Sequence, residues 1–235
     1  MPVLPVLGGG YIEIKPSKII AVGLNYFDHV KECGNILDKE SFSKPKEPIL
    51  FAKTPNVLVG PGDTVYIPAI AGEYGFDLPR TDLEAELAVI ISKRAKHVSA
   101  ENAFSYIYGF TCFNDVSQRN IQKSDPSGWF RGKSFDGFGP IGPLVVLTGD
   151  MPDPQNLAVK SRVNGVLKQN ASTKDMIFTV AELVSFISHN MTLEEGDIIA
   201  TGTPSGVCTV QPGDIMEVEI ENIGILRNPV EQEKI

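Results

Sequence analysis

Polar and apolar residues alternate from Asp82 to Leu87, and an apolar run continues to Ile91. In a strand, successive side chains point to opposite faces, so the acidic residues would share one face and the apolar residues the other. A helix would instead turn Glu84 and Glu86 about 200° apart around its axis. The acidic positions are Asp82, Glu84 and Glu86, and the apolar positions are Leu83, Ala85, Leu87, Val89 and Ile91. Because residues 89–91 are β-branched, the pattern predicts a strand.

Turn residues, helix caps and periodic apolar runs mark the other predicted elements. Strands are expected at 18–23, 48–53, 64–68, 108–113 and 216–220, and Asn164-Gly165 predicts a hairpin. Helices are expected after Asn25 as the cap residue, from residue 99 to about residue 106, and from the capping box Thr179/Glu182 to about residue 189. From residue 156 onward the pattern is mainly that of strands.

Two carboxylates on one strand face repel each other, by about 4 kcal/mol at 4 Å and an effective dielectric of 20. Water relieves this repulsion on an exposed face, and a proton relieves it in a buried one. A hard cation relieves it best when a third oxygen ligand is near. Glu84 and Glu86 therefore indicate either a solvated strand face or half of a metal site.

The His29–Glu32 pair and Asp115 each have both a structural and a chemical interpretation. His29 and Glu32 are three residues apart on the helix predicted after Asn25, so they face the same way. A carboxylate that orients an imidazole makes it a base for activating water, but the same spacing is typical of an exposed ion pair. Asp115 follows a buried strand and could bind a cation there, but its spacing to Gln118 is also that of a helix cap.

Cationic and polar residues near these positions suit the binding of an anion. Arg119 and Gln122 share a helix face and could hold a carboxylate and a carbonyl. Lys133 lies among aromatic residues, where it could stabilise a developing anion or be an ordinary surface lysine. The glycines before Lys133 are too closely spaced for a nucleotide-binding loop. The loop 201–206, which contains Thr203, is either a carboxylate-binding loop or a structural turn, and His97 and His189 are taken as structural.

Composition narrows the classes of partner. The 235 residues fit one large domain, or one domain with a small appendage. The net charge of −8 argues against nucleic acid, and no apolar run is long enough to span a membrane. Three widely spaced cysteines indicate neither a disulfide framework nor a CxxC metal site. A cytoplasmic protein without nucleic-acid or membrane partners is expected.

Taken together and in order, these motifs resemble those of the fumarylacetoacetate hydrolase family, from about residue 18 to residue 230. The resemblance is carried by Asn25-Tyr26 with His29 and Glu32, Leu50-Phe51-Ala52-Lys53, the acidic residues at 82–87, Asn114-Asp115 with Arg119, Gly132-Lys133-Ser134-Phe135-Asp136, Met176-Ile177-Phe178 and Thr201-Gly202-Thr203-Pro204. Each motif alone is weak, but their common order and spacing are specific. The chain lacks the long N-terminal domain of the larger hydrolases and resembles the shorter acylpyruvate hydrolase, oxaloacetate decarboxylase and oxo-diacid isomerase members.

The resemblance implies a β-rich α+β fold, a mixed β-sandwich roll in which residues 66–235 form the catalytic domain and residues 1–65 a small N-terminal region with a lid helix. It also implies a homodimer. A divalent cation, Mg²⁺ with Mn²⁺ or Ca²⁺ as alternatives, would be held by Glu84, Glu86 and Asp115, since oxygen ligands suit these ions better than zinc. His29 and Glu32 would activate water and Lys133 would stabilise the developing anion. Arg119, Gln122 and Thr203 would hold the substrate.

The expected reaction is metal-dependent hydrolysis of a C–C bond in a 2,4-dioxo acid, giving pyruvate and a carboxylic acid. An alternative with the same residues uses no water and gives decarboxylation of oxaloacetate or isomerisation of an unsaturated oxo-diacid. A metal- or ligand-binding protein without activity is an alternative from another class. The pocket walls are expected from loops at 36–47 and 68–80, and residues 39–46 are expected to form a mobile lid or loop.

Overall fold

The computed structural model describes residues 1–34, 45–126 and 128–234. The strands are β1 (Val3–Pro5), β2 (Tyr11–Glu13), β3 (Ile19–Gly23), β4 (Ile49–Lys53), β5 (Leu58–Val59), β6 (Val65–Ile67), β7 (Thr81–Leu83), β8 (Ala85–Ile91), β9 (Ile107–Asn114), β10 (Ser117–Gln118), β11 (Gly139–Leu147), β12 (Ala158–Val163), β13 (Val166–Ser172), β14 (Ile198–Ala200), β15 (Cys208–Val210), β16 (Ile215–Ile220) and β17 (Gly224–Gln232). The α-helices are α1 (Phe27–Gly34), α2 (Ile70–Glu73), α3 (Arg119–Ser124), α4 (Phe130–Lys133) and α5 (Val180–Asn190), and 3₁₀ helices span Pro55–Val57, Ala100–Tyr106 and Thr173–Asp175. None of the helices in these ranges has the length and apolar character to cross a bilayer.

Within the described residues, a seven-stranded mixed sheet has the order β4-β3-β14-β8-β9-β11-β5 and carries β8 at its centre. β8 is antiparallel to both of its neighbours, β14 and β9. Its register on β9 places Ala85 opposite Asn114 and Glu86 opposite Phe113. The acidic end of β8 therefore lies beside the carboxyl end of β9, where Asp115 follows.

A second mixed sheet, with the order β13-β12-β16-β17-β6 among the described strands, packs against the first. Leu87 and Val89 of β8 share one buried cluster with Val218 of β16 and with Leu183 and Ile187 of α5. Burial of such side chains stabilises the fold by roughly 1.5–3 kcal/mol each. The capping box at the start of α5 is present, as predicted. These packed sheets confirm the predicted β-rich α+β fold.

The predicted alternation across residues 82–91 holds within β8 but not before it. Ala85, Leu87, Val89 and Ile91 lie in the cluster between the sheets, as predicted, but Leu83 lies in a second cluster with Ala88 and Ile90. The reason is that Glu84 lies between β7 and β8 and interrupts the extended chain. The acidic face is also buried rather than solvated, so the interpretation of a solvated strand face is wrong.

The N-terminal region contributes strands to the main sheet. β1 and β2 form a small antiparallel hairpin, and β3 and β4 lie at one edge of the seven-stranded sheet beside β14. Strands from both sides of residue 65 thus share one sheet, and the proposed domain division at that position stays a prediction. A lid or loop is expected at residues 39–46, and residues 39–44 of this segment lie outside the described residues.

The sequence predicts Asn25 as the cap residue of α1, but its side chain forms hydrogen bonds with residues that are distant in the chain. Its carboxamide nitrogen donates to the carbonyls of Phe178 (3.1 Å) and Thr201 (2.8 Å), and its oxygen accepts from the N–H of Phe178 (2.8 Å). Asn25 therefore ties the start of α1 to two distant loops. These bonds place α1, with His29 and Glu32, beside the carboxyl end of β14.

Candidate active site

Three carboxylates at the adjoining ends of β8 and β9 converge at one point. Glu84, Glu86 and Asp115 each offer an oxygen, and the three oxygens lie within 4.8 Å of one another. The convergence follows from the pairing of β8 with β9. The N–H of Asp115 donates to the carbonyl of Glu84 (2.9 Å), and the Asn114 side chain accepts from the N–H of Glu84 (3.1 Å). Asp115 is not the cap of α3, because the side chain of Gln118 fills that role.

Two buried lysines neutralise part of this acidic cluster. Lys133 donates to Glu84 (2.7 Å) and Asp115 (2.6 Å), and Lys53 donates to the other oxygen of Asp115 (2.5 Å). Burial alone would raise the pKa of Glu84, but the Lys133 ammonium and the Arg119 guanidinium hold it well below its usual range. The surface-lysine alternative for Lys133 is therefore wrong.

Glu86 lacks such a partner among the described cations. Its side chain is 1% exposed and accepts a hydrogen bond from the N–H of Gly202 (2.9 Å). Burial and the nearby Asp115 and Glu84 carboxylates raise its pKa well above the usual value. A divalent cation at the three oxygens would supply the missing positive charge, and an all-oxygen donor set suits Mg²⁺ or Mn²⁺. The residues present therefore fit a divalent metal ion.

Sequence reasoning gave no role to Lys53. The residue ends the apolar strand β4, and its ammonium is fully buried against Asp115 and the carbonyl of Val116 (3.3 Å). Burial lowers its pKa, although Asp115 acts in the opposite direction. A lysine at the end of an otherwise apolar strand was the signal in the sequence, since a buried ammonium requires a nearby anion.

His29 and Glu32 lie on one face of α1, as predicted. Nδ1 of His29 is 3.0 Å from Oε2 of Glu32. The hydrogen bond from His29 lowers the pKa of Glu32, and the N–H of Gly206 adds to this effect at 3.2 Å. His29 is 8% exposed, so the pair is not the fully exposed ion pair of the alternative interpretation.

The loop between β14 and β15 contacts both the triad and the His29–Glu32 pair. Its N–H groups bind carboxylates of the protein itself, since Gly202 donates to Glu86 and Gly206 donates to Glu32. Thr203 donates to the carbonyl of Ala85 (2.9 Å) and accepts from the Gln169 side chain (2.7 Å). The loop therefore holds the His29–Glu32 pair at a set position relative to the triad, and the substrate-holding role of Thr203 stays a prediction.

Arg119 and Gln122 lie on one face of α3, where Arg119 donates to Gln122 at 2.7 Å. Arg119 also donates to Asp82 (2.9 Å) and to Glu84. Asp82 is fully buried but lies outside the triad. Arg119 thus connects the triad to a separate buried carboxylate.

All nine predicted site residues line one cavity of about 240 Å³. Its apolar wall includes Phe51 and Trp129, whose rings meet edge to face with centroids 5.3 Å apart. Trp129 packs on the backbone of Gly23, where an added Cβ would lie 2.4 Å from the indole ring. His97 and His189 contact each other outside this cavity, with ring centroids 5.4 Å apart.

The comparisons with known proteins point to one family. Residues 18–231 match the family model described as fumarylacetoacetate (FAA) hydrolase C-terminal. A Rattus norvegicus protein named oxaloacetate tautomerase Fahd2a, mitochondrial, is 38% identical over 92% of this chain and 67% of its own length.

Solved structures agree with this match. The chain superposes on 2-hydroxyhepta-2,4-diene-1,7-dioate isomerase from Mycobacterium marinum with a TM-score of 0.80 and 38% identity, covering 94% of this chain and 77% of that one. It superposes on maleylpyruvate hydrolase from Sphingobium sp. SYK-6, solved with manganese(II) and pyruvate, with a TM-score of 0.78 and 31% identity, covering 97% and 79%. The chain therefore belongs to the fumarylacetoacetate hydrolase family and, like these relatives, is an enzyme.

Proposed function

We propose that the protein hydrolyses a C–C bond in a 2,4-dioxo acid and releases pyruvate and a carboxylic acid, with Mg²⁺ as its metal ion. One observation carries the proposal. The buried triad of Glu84, Glu86 and Asp115 and the separate His29–Glu32 pair line the same cavity. The first group can hold a divalent cation and the second can act as a base, and this hydrolysis needs both.

Glu84, Glu86 and Asp115 would hold the cation, which would supply Lewis-acid stabilisation of negative charge on the oxo-acid end of the substrate. The protein supplies the proton transfers. Glu32 accepts from the His29 imidazole, which fixes the ring and raises its basicity. Arg119, Gln122 and Thr203 line the cavity and, as the resemblance to the family implies, orient the substrate.

In this reaction His29 takes a proton from water as the water oxygen bonds to C4. The C3–C4 bond then breaks, its electron pair passes to the pyruvate fragment, and the proton returns to C3. Lys133 is 2% exposed and lies at Glu84 and Asp115, so its ammonium is placed to offset negative charge that develops beside the triad. The carboxylic acid keeps the oxygen that came from water.

A second candidate uses the same residues without water. In a tautomerase or isomerase, His29 would move a proton between carbon and oxygen of an oxo acid and no C–C bond would break. The names of the Rattus norvegicus tautomerase and the Mycobacterium marinum isomerase favour this candidate. Decarboxylation of oxaloacetate is related, since it also places negative charge on an oxo acid.

The decisive experiment measures pyruvate release from a panel of acylpyruvates and from oxaloacetate, with Mg²⁺ and with a chelator. Tautomerisation is followed in parallel by enol absorbance. For the proposed hydrolase, acylpyruvates release pyruvate only with the metal. His29→Ala should abolish this release while Mg²⁺ binding persists, and metal-driven decarboxylation of oxaloacetate should persist as well.

Tautomerisation without pyruvate release would favour the second candidate. Equal loss of hydrolysis and decarboxylation in His29→Ala would refute the separate role of the base. Arg94→Gln serves as a surface control, because Arg94 is exposed and its ion pair with Glu194 lies outside the cavity.

A further inference from the structure

Two arginines share one buried carboxylate that is not part of the triad. Arg80 and Arg119 both donate to Oδ2 of Asp82, each at 2.9 Å, and Thr209 donates to Oδ1 at 2.8 Å. The Asp82 side chain is fully buried. Arg119 also pairs with Glu84, so these two guanidinium groups face two carboxylates, and among the described carboxylates Arg80 pairs with Asp82 alone.

The guanidinium nitrogens of Arg80 and Arg119 differ in their hydrogen bonds. Arg119 uses all three of its nitrogens, on Asp82, Glu84 and Gln122. Arg80 donates from Nε to Thr209 (3.2 Å) and from Nη2 to Asp82, and within the described residues Nη1 has no partner. Its side chain is 40% exposed and lines the cavity. Arg119 divides its charge between Asp82 and Glu84, so Arg80 also neutralises Asp82, and its Nη1 group is the part that is left for a ligand.

The backbone holds Arg80 at this place. Its N–H donates to the Asn120 side chain (2.7 Å), and its carbonyl accepts from the N–H of Arg119 (2.7 Å). Both contacts are with the start of α3, so the residue is attached to the helix that carries Arg119 and Gln122. A guanidinium anchored in this way is preorganised for a ligand, which lowers the entropic cost of binding.

We propose that Arg80 forms a second anion subsite of the cavity and binds the distal carboxylate of a dicarboxylic oxo acid. This inference rests on the proposed function, which places the oxo-acid end at the triad. Arg80 pairs with Asp82, which lies outside the triad, so the subsite and the triad are separate points of the same cavity. The preferred diacid therefore separates its carboxylates by several carbon atoms, and these carbons lie along the wall that includes Phe51 and Trp129.

The test compares two substrates of equal length, 2,4-dioxoheptanedioate and 2,4-dioxoheptanoate, which differ in a terminal carboxylate or methyl group. We expect the wild type to prefer the diacid in kcat/KM. Arg80→Gln should lower this preference by about 10- to 100-fold, the range for a hydrogen-bonded charge pair. Arg80→Lys should keep part of it, and Arg94→Gln should keep all of it. The ratio of the two substrates removes any effect of the substitution on the shared triad.

Binding separates this inference from the proposed reaction. Calorimetry with Mg²⁺ compares 2-oxoadipate with 2-oxohexanoate, which also differ by one terminal carboxylate and cannot undergo the cleavage. If neither dioxo acid is cleaved but Arg80→Gln still removes the preference for 2-oxoadipate, the reaction is wrong and the subsite stands. If both dioxo acids are cleaved without preference, or Arg80→Gln leaves the preference intact, the subsite is refuted and the reaction stands. Thermal melting checks folding, and Arg80→Lys replaces Arg80→Gln if the latter is unfolded, with an expected loss of about threefold or more.

Discussion

Replacing Lys53 with methionine tests whether the acidic cluster depends on its buried positive charges. The Lys53 ammonium has no exposed surface, donates to Asp115 at 2.5 Å and contacts the carbonyl of Val116 at 3.3 Å. Methionine fills a similar volume with apolar atoms, so the substitution removes the charge with little change in packing. Asp115 would then keep one ammonium partner, Lys133.

Removing one partner of a buried ion pair costs about 3–5 kcal/mol, because the other charge stays buried. Lys133 still neutralises part of the charge on Asp115, so the lower end of the range is expected. For a chain of this size, about 3 kcal/mol lowers the melting temperature by about 6–12 °C. A divalent cation at the triad would replace the lost charge, so Mg²⁺ should stabilise Lys53→Met more than it stabilises the wild type.

The assay is thermal melting by circular dichroism, with and without Mg²⁺, together with Mg²⁺ titration by calorimetry. Lys160→Met is the matched control, since Lys160 is partly exposed and lies 3.7 Å from Glu219 in a surface pair. Such pairs contribute about 0–1 kcal/mol, so the control should melt close to the wild type. A metal-free Lys53→Met protein that melts within about 2 °C of the wild type would refute the argument. Equal stabilisation of both proteins by Mg²⁺ would also refute it.

Two further substitutions test the metal site and a distant buried carboxylate. Glu86→Gln removes a carboxylate whose pKa is raised by burial and by Asp115, so the metal-free protein should melt no lower than the wild type. Calorimetry should show an Mg²⁺ affinity reduced by about 100-fold or more, because one of the three oxygen ligands is lost. An unchanged affinity would contradict the metal-binding role of the triad. Burial alone would raise the pKa of Asp197, but hydrogen bonds from the N–H of Glu194 and from Lys18 lower it. Asp197→Asn should therefore cost about 2 kcal/mol near pH 7, and this difference should be present above about pH 4 and lost as pH falls through the lowered pKa. Denaturant unfolding across pH measures the difference, and one that does not depend on pH would contradict the role of the charge.

Local patterns in the sequence determined much of the fold. The β-branched end of β8, the capping box of α5 and the Asn164-Gly165 turn each depend on residues close together in the chain. His29 and Glu32 are three residues apart on a predicted helix, and this spacing likewise predicted that their side chains meet on one face of α1. Such features are readable because backbone propensity, turn chemistry and side-chain periodicity act over a few residues.

Only the tertiary structure decided which distant residues meet. Asp115 joins Glu84 and Glu86 because β9 pairs with β8 in one register, and a shift of one residue would turn its carboxylate away. Lys53 reaches the same cluster from β4. Its place at the end of an apolar strand indicates that it needs an anion, but only the fold shows that this anion is Asp115. Arg80 donates to Thr209 and shares Asp82 with Arg119 only because the fold brings these distant residues together. Charges placed by long-range sheet pairing are not encoded in any local pattern, since their partners lie tens of residues away along the chain.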